Sequence, residues 1–342
     1  MRRLAVLLLV AGLGVVTLLV LRQGIGAVWH ALTAIGWWGF ALICLSHLVL
    51  IGLMGWAWQI LLPRDQGLPL RFFFWARLVR DSGAEILPLS QLGGFAMGAR
   101  AATLFGMSGT LAAASTVVDV TMEMFAQLAF TALGLCLLAQ ARPEAPLVMP
   151  SGVAVLAMLA AAITFVAVQR RGLSLLERIT GHLLGDWAKT GLSLGIVEQE
   201  IRAIYARPAR AILCTAVHLV CWLGTALETW LALWLMGFPI DVTAVLAIES
   251  LLYAARSVAF AVPNALGLQE GAYILLGGLF GLAPETVLAL SLLKRGRDLT
   301  IGAPALLFWQ SIEARRALSA KGAAARDPSP RRLDAASLID RR

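Results

Sequence analysis

Residues 111–139 read LAAASTVVDVTMEMFAQLAFTALGLCLLA. The stretch exceeds the roughly 20 mainly apolar residues that a helix needs to cross about 30 Å of hydrocarbon. Asp119 and Glu123 stand four apart and share one helix face with Gln127. Working outward, the whole chain has this character. Of 342 residues, 59% are hydrophobic and only 14% charged, and the mean hydropathy is +0.81. Soluble domains carry about 25% charged residues, so polar surface cannot cover a globule of this size and a bilayer is the solvent that fits. Long apolar runs, in place of alternating ten-residue segments, exclude an outer-membrane barrel.

Further spans are expected over residues 4–21, 39–62, 147–168, 211–236, 242–262 and 285–310. Residues 24–38, rich in Gly and Trp, read as an external connection with its tryptophans in the interface belt. Residues 63–85 alternate Arg64, Arg71, Arg77 and Arg80 with Phe72, Phe73, Phe74 and Trp75, a basic aromatic segment expected to lie in the headgroups. Residues 169–210 are predicted to hold a helix on the membrane surface, with Leu173, Leu176, Leu183, Leu184 and Trp187 largely on one face. The net charge of +8 is concentrated in such connections and in the tail, which marks them as cytoplasmic. The chain is read as one transmembrane domain over 1–312 with a basic, disordered cytoplasmic tail over 313–342. No soluble basic domain interleaved with aromatics exists, so nucleic-acid binding is excluded.

Two segments are broken by Gly and Pro, and they align. With an offset of 175 residues, Pro88-Leu-Ser-Gln-Leu-Gly-Gly lies over Pro263-Asn-Ala-Leu-Gly-Leu-Gln, and Leu104-Phe105-Gly106 over Leu279-Phe280-Gly281. Each copy then starts a long helix, and Asp119 falls on Lys294. Repeat halves of about 70–140 and 245–310 follow. Basic loops on the cytoplasmic side require the Asp119 helix to run outward and the Lys294 helix inward, so the repeats are inverted. The predicted fold is all-α, a polytopic helical bundle with two inverted repeats containing discontinuous or re-entrant helices. Paired interruptions in inverted halves point to a transporter site near the midplane.

A charge at the bilayer centre costs about 2.5–3.5 kcal/mol, so the intramembrane charges need a reason. Lys294, Arg297 and Asp298 share a face, and Glu249 and Arg256 form a further polar stripe. Either the acids of one repeat neutralise the bases of the other, or the groups line a polar cavity for an ion or a lipid headgroup. The cysteines, Cys44, Cys136, Cys214 and Cys221, read as small buried hydrophobes. The histidines, His30, His47, His182 and His218, are scattered, with no HExxH and no second ligand recognised at helical spacing, so neither a metal nor another cofactor is expected.

Arg77-Leu-Val-Arg80, Leu87-Pro-Leu-Ser-Gln-Leu-Gly-Gly94, Gly98-Ala-Arg100 and Ala112-Ala-Ala-Ser-Thr-Val-Val-Asp119 resemble the first half of the lysylphosphatidylglycerol synthase transmembrane-region family. Val262-Pro-Asn-Ala-Leu-Gly-Leu-Gln-Glu-Gly271 resembles its second-half motif. The resemblance spans roughly residues 5–310 and is strongest to the branch encoded beside hopanoid biosynthesis enzymes. It implies a flippase-like protein of the bacterial inner membrane that moves a polar-headed lipid, a hopanoid-type lipid foremost. Membrane lipids, and hopanoid or other lipid-biosynthesis enzymes, are the expected partners. The aminoacyl-transferase domain of full-length synthases is not expected after the last span, so no enzymatic activity is implied and no residue is assigned as catalytic. The lipid-binding residues so implied are Arg77, Arg80, Pro88, Gln91, Gly93, Gly94, Arg100, Asp119, Glu123, Glu249, Arg256, Pro263, Asn264, Gly267, Glu270, Lys294, Arg297 and Asp298. Phe95 stands where the second repeat has Glu270, which suits a bulkier or less charged lipid. The alternatives are a lipid or polyprenyl headgroup transferase, with Asp119, Glu123 or Glu270 as general base, and a non-catalytic scaffold; no DxD motif favours the former.

The charge pattern predicts that the N-terminus, residues 169–210 and the tail share the cytoplasmic face. Cysteines at Ser174 and Ser337 should resist an impermeant maleimide in intact cells. Labelling of both would overturn this topology.

Overall fold

The computed structural model describes residues 14, 17–22, 25–62, 67–86, 90–144, 148–171, 194–258 and 263–326. The expected surface helix at 173–187, most of the first span, Pro88 and the tail beyond Arg326 lie outside them. Eleven α-helices and a 3-10 turn follow: α1 (Ile25–Thr33), α2 (Gly36–Leu61), α3 (Leu70–Ile86), α4 (Ser90–Thr103), α5 (Gly109–Ala141), α6 (Val148–Arg171), α7 (Leu194–Tyr205), α8 (Pro208–Leu235), α9 (Val242–Val258), the 3-10 turn (Pro263–Ala265), α10 (Leu268–Leu279) and α11 (Pro284–Arg326). No strand occurs among the described residues.

Local chemistry sets several of these boundaries. Ser108 accepts a hydrogen bond from the Leu111 N–H at 3.3 Å and caps α5. Pro208 opens α8 at a position where no amide N–H is needed. Asp241 accepts from the Thr243 N–H at 2.7 Å at the head of α9, and this bonding holds its carboxyl below the usual carboxylate range. Gly106 and Gly281, aligned by the repeat, both have positive φ, 99° and 82°. Each makes the turn into a long helix in a conformation that costs other L-residues strain.

α2, α5 and α8 are long and apolar enough to cross a membrane. Their outward faces keep Trp37, Trp38, Leu45, Val49, Ile212, Val220 and Trp234 exposed, an apolar surface that suits lipid. The chain is a multi-pass membrane protein.

The two broken segments are hairpins. Gly94 of α4 lies against the Arg80 carbonyl and Ala84 of α3, and Gly98 against the Arg80 side chain, so α3 and α4 run antiparallel. In the second half Tyr273 of α10 meets Glu249 of α9, while Asn264 meets Arg256, so α9 and α10 turn back in the same way. α3 also packs against the 3-10 turn. There Arg256 reaches Glu85, at the end of α3, at 2.8 Å. The segments therefore meet tip to tip, beside the middle of α5, where Gln127 donates to the Tyr253 carbonyl and to Ser257.

The repeat extends further than residues 70–140 and 245–310. α1 to α5 correspond in order to α7 to α11, and the packing is reciprocal: α3 on α11 and α9 on α5, α1 on α11 and α7 on α5, α2 on α8. A two-fold axis generates such exchanges. The ends of the long helices give its direction. Arg142, just past α5, donates to the Leu279 carbonyl at 3.0 Å, and Arg316 of α11 donates to the Leu104 carbonyl. Leu104 precedes α5 and Leu279 precedes α11, so each long helix ends where the other begins. The 33 residues of α5 make it about 50 Å long, which puts these two contacts on opposite faces. The halves are inverted, and their hairpins enter from opposite sides.

Three expectations change. Part of the connection over 24–38 is helical, as α1, and packs on α11 because Val28 and Ala31 are buried. The part of the 63–85 segment in α3 is not a surface helix: it buries Phe72, Phe73, Ala76 and Val79, together with Arg77 and Arg80. The last helix runs to Arg326, past residue 313 where the tail was placed, and its Glu313 pairs with Arg100 at 2.8 Å.

The α3–α4 contact predicts the cost of a side chain at Gly94. A Cβ there would lie 2.5 Å from the Arg80 carbonyl oxygen and 2.8 Å from the Ala84 Cβ. Gly94→Val should destabilise the detergent-solubilised protein by about 1–3 kcal/mol or more, read as a lower melting temperature. Gly271→Ala, facing open space, should not.

Two buried ion-pair clusters as the candidate functional site

Asp119 is fully buried on α5 and sits between two helices. Its Oδ2 accepts from Arg80 at 2.5 Å and from Arg77 at 3.4 Å, both of α3. Its Oδ1 meets His218 Nε2 of α8 at 3.0 Å. One turn on, Glu123 accepts from Arg77 at 2.7 Å and from Arg80 at 2.6 Å, and Arg77 Nε donates to Asp81 at 2.7 Å. Arg77 and Arg80 stand one turn apart on α3, as the acids do on α5, so two helices meet as complementary ladders. The Phe95 ring lies 4.8 Å from the Arg80 guanidinium, covering it by a cation–π contact.

In the second half the signs are exchanged between the helices. Lys294 of α11 donates to Glu249 of α9 at 2.6 Å, to Tyr273 of α10 at 2.9 Å and to Thr229 of α8 at 3.1 Å. Tyr273 donates to the other Glu249 oxygen at 2.5 Å. Glu270 accepts from Arg295 at 2.8 Å, from Ser291 at 2.8 Å and from the Gly267 N–H at 2.8 Å. Arg297 pairs with Glu228 of α8, and with Asp298 at 2.7 Å; Glu228 also meets His47 of α2 at 3.2 Å.

At the hairpin tips, Arg256 bonds Glu85 and the Asn264 side chain, the latter at 3.3 Å. Asn264 and Ala265 hold φ of 49° and 45°. Two consecutive non-glycine residues in the left-handed region store strain of a kind found at functional sites.

Asp119 and Lys294 therefore do not neutralise one another. Each is paired on hairpin helices of its own half, and the charged groups that reach across to the other half include His218, His47, the Glu85–Arg256 bridge and the Arg100–Glu313 pair. Arg77, Arg80, Asp119 and Glu123 form one cluster; Glu249, Glu270, Lys294, Arg297 and Asp298 gather in the other half; Arg256 and Asn264 join the two. Gly94 and Gly267 shape the hairpins. Arg100 stands apart, more than half exposed, at the turn end of α4. Gln91, Gly93 and Pro263 lie in the hairpins, and Pro88 is outside the described residues.

His218 was missed in the sequence, although Cys214 and His218 are four apart and share a face of α8. With Asp119 they form a buried trio whose potential ligand atoms lie within 4.8 Å of one another. Three such atoms are a plausible count for a metal, but the two guanidiniums on Asp119 oppose a divalent cation. Of the cysteines, Cys214 and Cys221 are buried, Cys44 is half-buried and Cys136 is exposed.

The model of the lysylphosphatidylglycerol synthase TM-region family matches residues 4–305. The chain belongs to this family. No curated protein and no solved structure matches it. Membership places the chain among lipid-related membrane proteins, and the family's membrane region coincides with the two-fold bundle.

Removing one member of a buried pair leaves an uncompensated charge, at a cost of about 3–5 kcal/mol, whereas replacing both can be nearly neutral. Lys294→Leu and Glu249→Leu should each lower thermal stability strongly, and the double variant should recover most of it. Additive losses would show that the two groups are not coupled.

Proposed function

We propose that this family member moves a polar-headed lipid between the leaflets of a bacterial inner membrane, with both termini in the cytoplasm. The observation that carries the reading is the tip-to-tip meeting of two hairpins that enter from opposite faces and are bridged by Glu85 and Arg256. An inverted pair of this kind can exchange which face is open while the site stays fixed. The ion pairs give a headgroup exchangeable partners: a phosphate or ammonium can replace a carboxylate or a guanidinium without leaving a charge bare in hydrocarbon.

Hopanoid-type lipids are our candidate cargo, on the motif resemblance, and lipid-biosynthesis enzymes the candidate partners. The Phe95–Arg80 contact supports a weakly charged or bulky headgroup in the first half. The transferase reading is less supported, because Asp119, Glu123, Glu249 and Glu270 all bond to cations and none is free to act as a base.

Purified protein in liposomes carrying a fluorescent, short-chain anionic lipid tests the reading. With transport, externally added dithionite should bleach nearly all the fluorescence, against about half in protein-free vesicles with two equal leaflets. Glu85→Arg or Arg256→Glu alone should abolish most of the transport, and the charge-swapped double variant should restore part of it. Bleaching of wild-type liposomes no greater than in empty vesicles would contradict lipid movement.

A further inference from the structure

The cluster around Asp119 contains a base that the lipid reading does not use. Asp119 is bonded through Oδ2 to two guanidiniums, and its Oδ1 faces His218 Nε2 at 3.0 Å. A carboxylate held in this way only accepts, so Nε2 is the nitrogen that carries hydrogen. In the neutral imidazole the other nitrogen, Nδ1, is then a bare lone pair. It is buried, and among the described residues no hydrogen-bond partner reaches it.

The charges around it are unbalanced. Arg77 and Arg80 of α3 face Asp81 of the same helix and Asp119 and Glu123 of α5. There is one carboxylate more than there are guanidiniums. On α8 itself the neighbouring titratable groups are Cys214, whose Sγ lies 3.9 Å from Asp119, and Cys221, one turn on and also buried. α2 also packs on α8, but its His47 and Cys44 belong to the Glu228–Arg297 group. From α9, Glu249 and Arg256 are taken by Lys294 and Glu85; from α11, Arg297 is taken by Glu228 and Asp298; from α7, Glu198 is paired with Arg202. A single positive charge on His218 would make the cluster neutral.

We propose that the Asp119–His218 pair is a proton-binding site that takes up one proton from water as the coupling ion for lipid movement. The inference rests on the transport reading for its purpose, but not for its chemistry. The proton adds to the Nδ1 lone pair; Nε2–H stays on Asp119, and no other bond changes. In the conformation described, a proton on Nδ1 would find no acceptor. Uptake therefore favours a second conformation in which water reaches Nδ1, and a ligand that binds two states unequally shifts their balance. The second half has Lys294, a fixed cation, in the position matching Asp119, and its own histidine–carboxylate contact, His47 with Glu228, is shared with Arg297.

Two measurements test this. In nanodiscs, histidine-selective 15N NMR should show one imidazole of the wild type that gains a proton as the pH is lowered and is lost in His218→Gln, while the variant stays monodisperse. In liposomes, wild-type lipid movement should change several-fold when a pH gradient is imposed, and His218→Gln should move lipid at a rate indifferent to the gradient. If wild-type liposomes move no lipid, the transport reading fails while the NMR titration still decides the site. A His218 signal that does not titrate overturns the proposal. So does stoichiometric zinc binding that is lost in Cys214→Ser, because the trio would then be a metal site.

Discussion

A charge placed among lipid-facing helices must meet its opposite within hydrogen-bond reach, and this requirement organises the molecule. Arg77 and Arg80 can sit on a buried helix only because Asp119 and Glu123 stand opposite them at the same one-turn spacing. That match fixes the register of α3 on α5. The register sets how deep the first hairpin reaches, and hence where its tip, at Glu85, finds Arg256 of the second. The second half solves the same problem with the signs exchanged, Lys294 on the long helix and Glu249 on the hairpin. An interrupted backbone at membrane depth must be covered by protein or water, and Glu85 and Arg256 bring the described ends of the two hairpins together.

Pairs of this kind have two uses. Removing water from two charges costs about as much as their attraction returns, so a buried pair contributes little net stability while breaking it is expensive. It specifies one register and penalises the others. It also leaves charges that a headgroup can take over, because exchanging one partner for another costs less than baring a charge. The same residues serve as fasteners and, on the proposed transport reading, as a binding surface, and the strain at Asn264 and Ala265 lies beside the bridge between the two hairpins.

Much of the architecture was legible in the sequence because its signals are local. Hydrophobic length marked α2, α5 and α8 as the spans. The Leu-Phe-Gly turns repeated at 175 residues gave the two long helices and their glycines with positive φ. The basic connections implied inversion. What stayed hidden depends on partners distant along the chain. The charges of α3 looked like headgroup anchors, since nothing near them in sequence shows that acids 39 to 46 residues away will cover them. The pairing of α1 with α7, and of α2 with α8, rests on few shared residues, His47-Leu48-Val49 against His218-Leu219-Val220 foremost, in helices that are otherwise largely apolar. His218 was a lone histidine until α8 was laid against Asp119; its spacing from Cys214 and the His-Leu-Val it shares with residues 47–49 are the signals that could have flagged it.

The central claim is that two equivalent halves cross the membrane in opposite directions, each long helix ending on the turn that begins the other. Cysteine pairs at Leu104 with Arg316 and at Leu279 with Arg142 test it most directly, in sealed vesicles exposed to an impermeant bifunctional maleimide. The account predicts that both pairs cross-link, each from one face only and from opposite faces. Cross-linking of both pairs from the same face, or of neither in folded protein, would contradict the inverted two-fold.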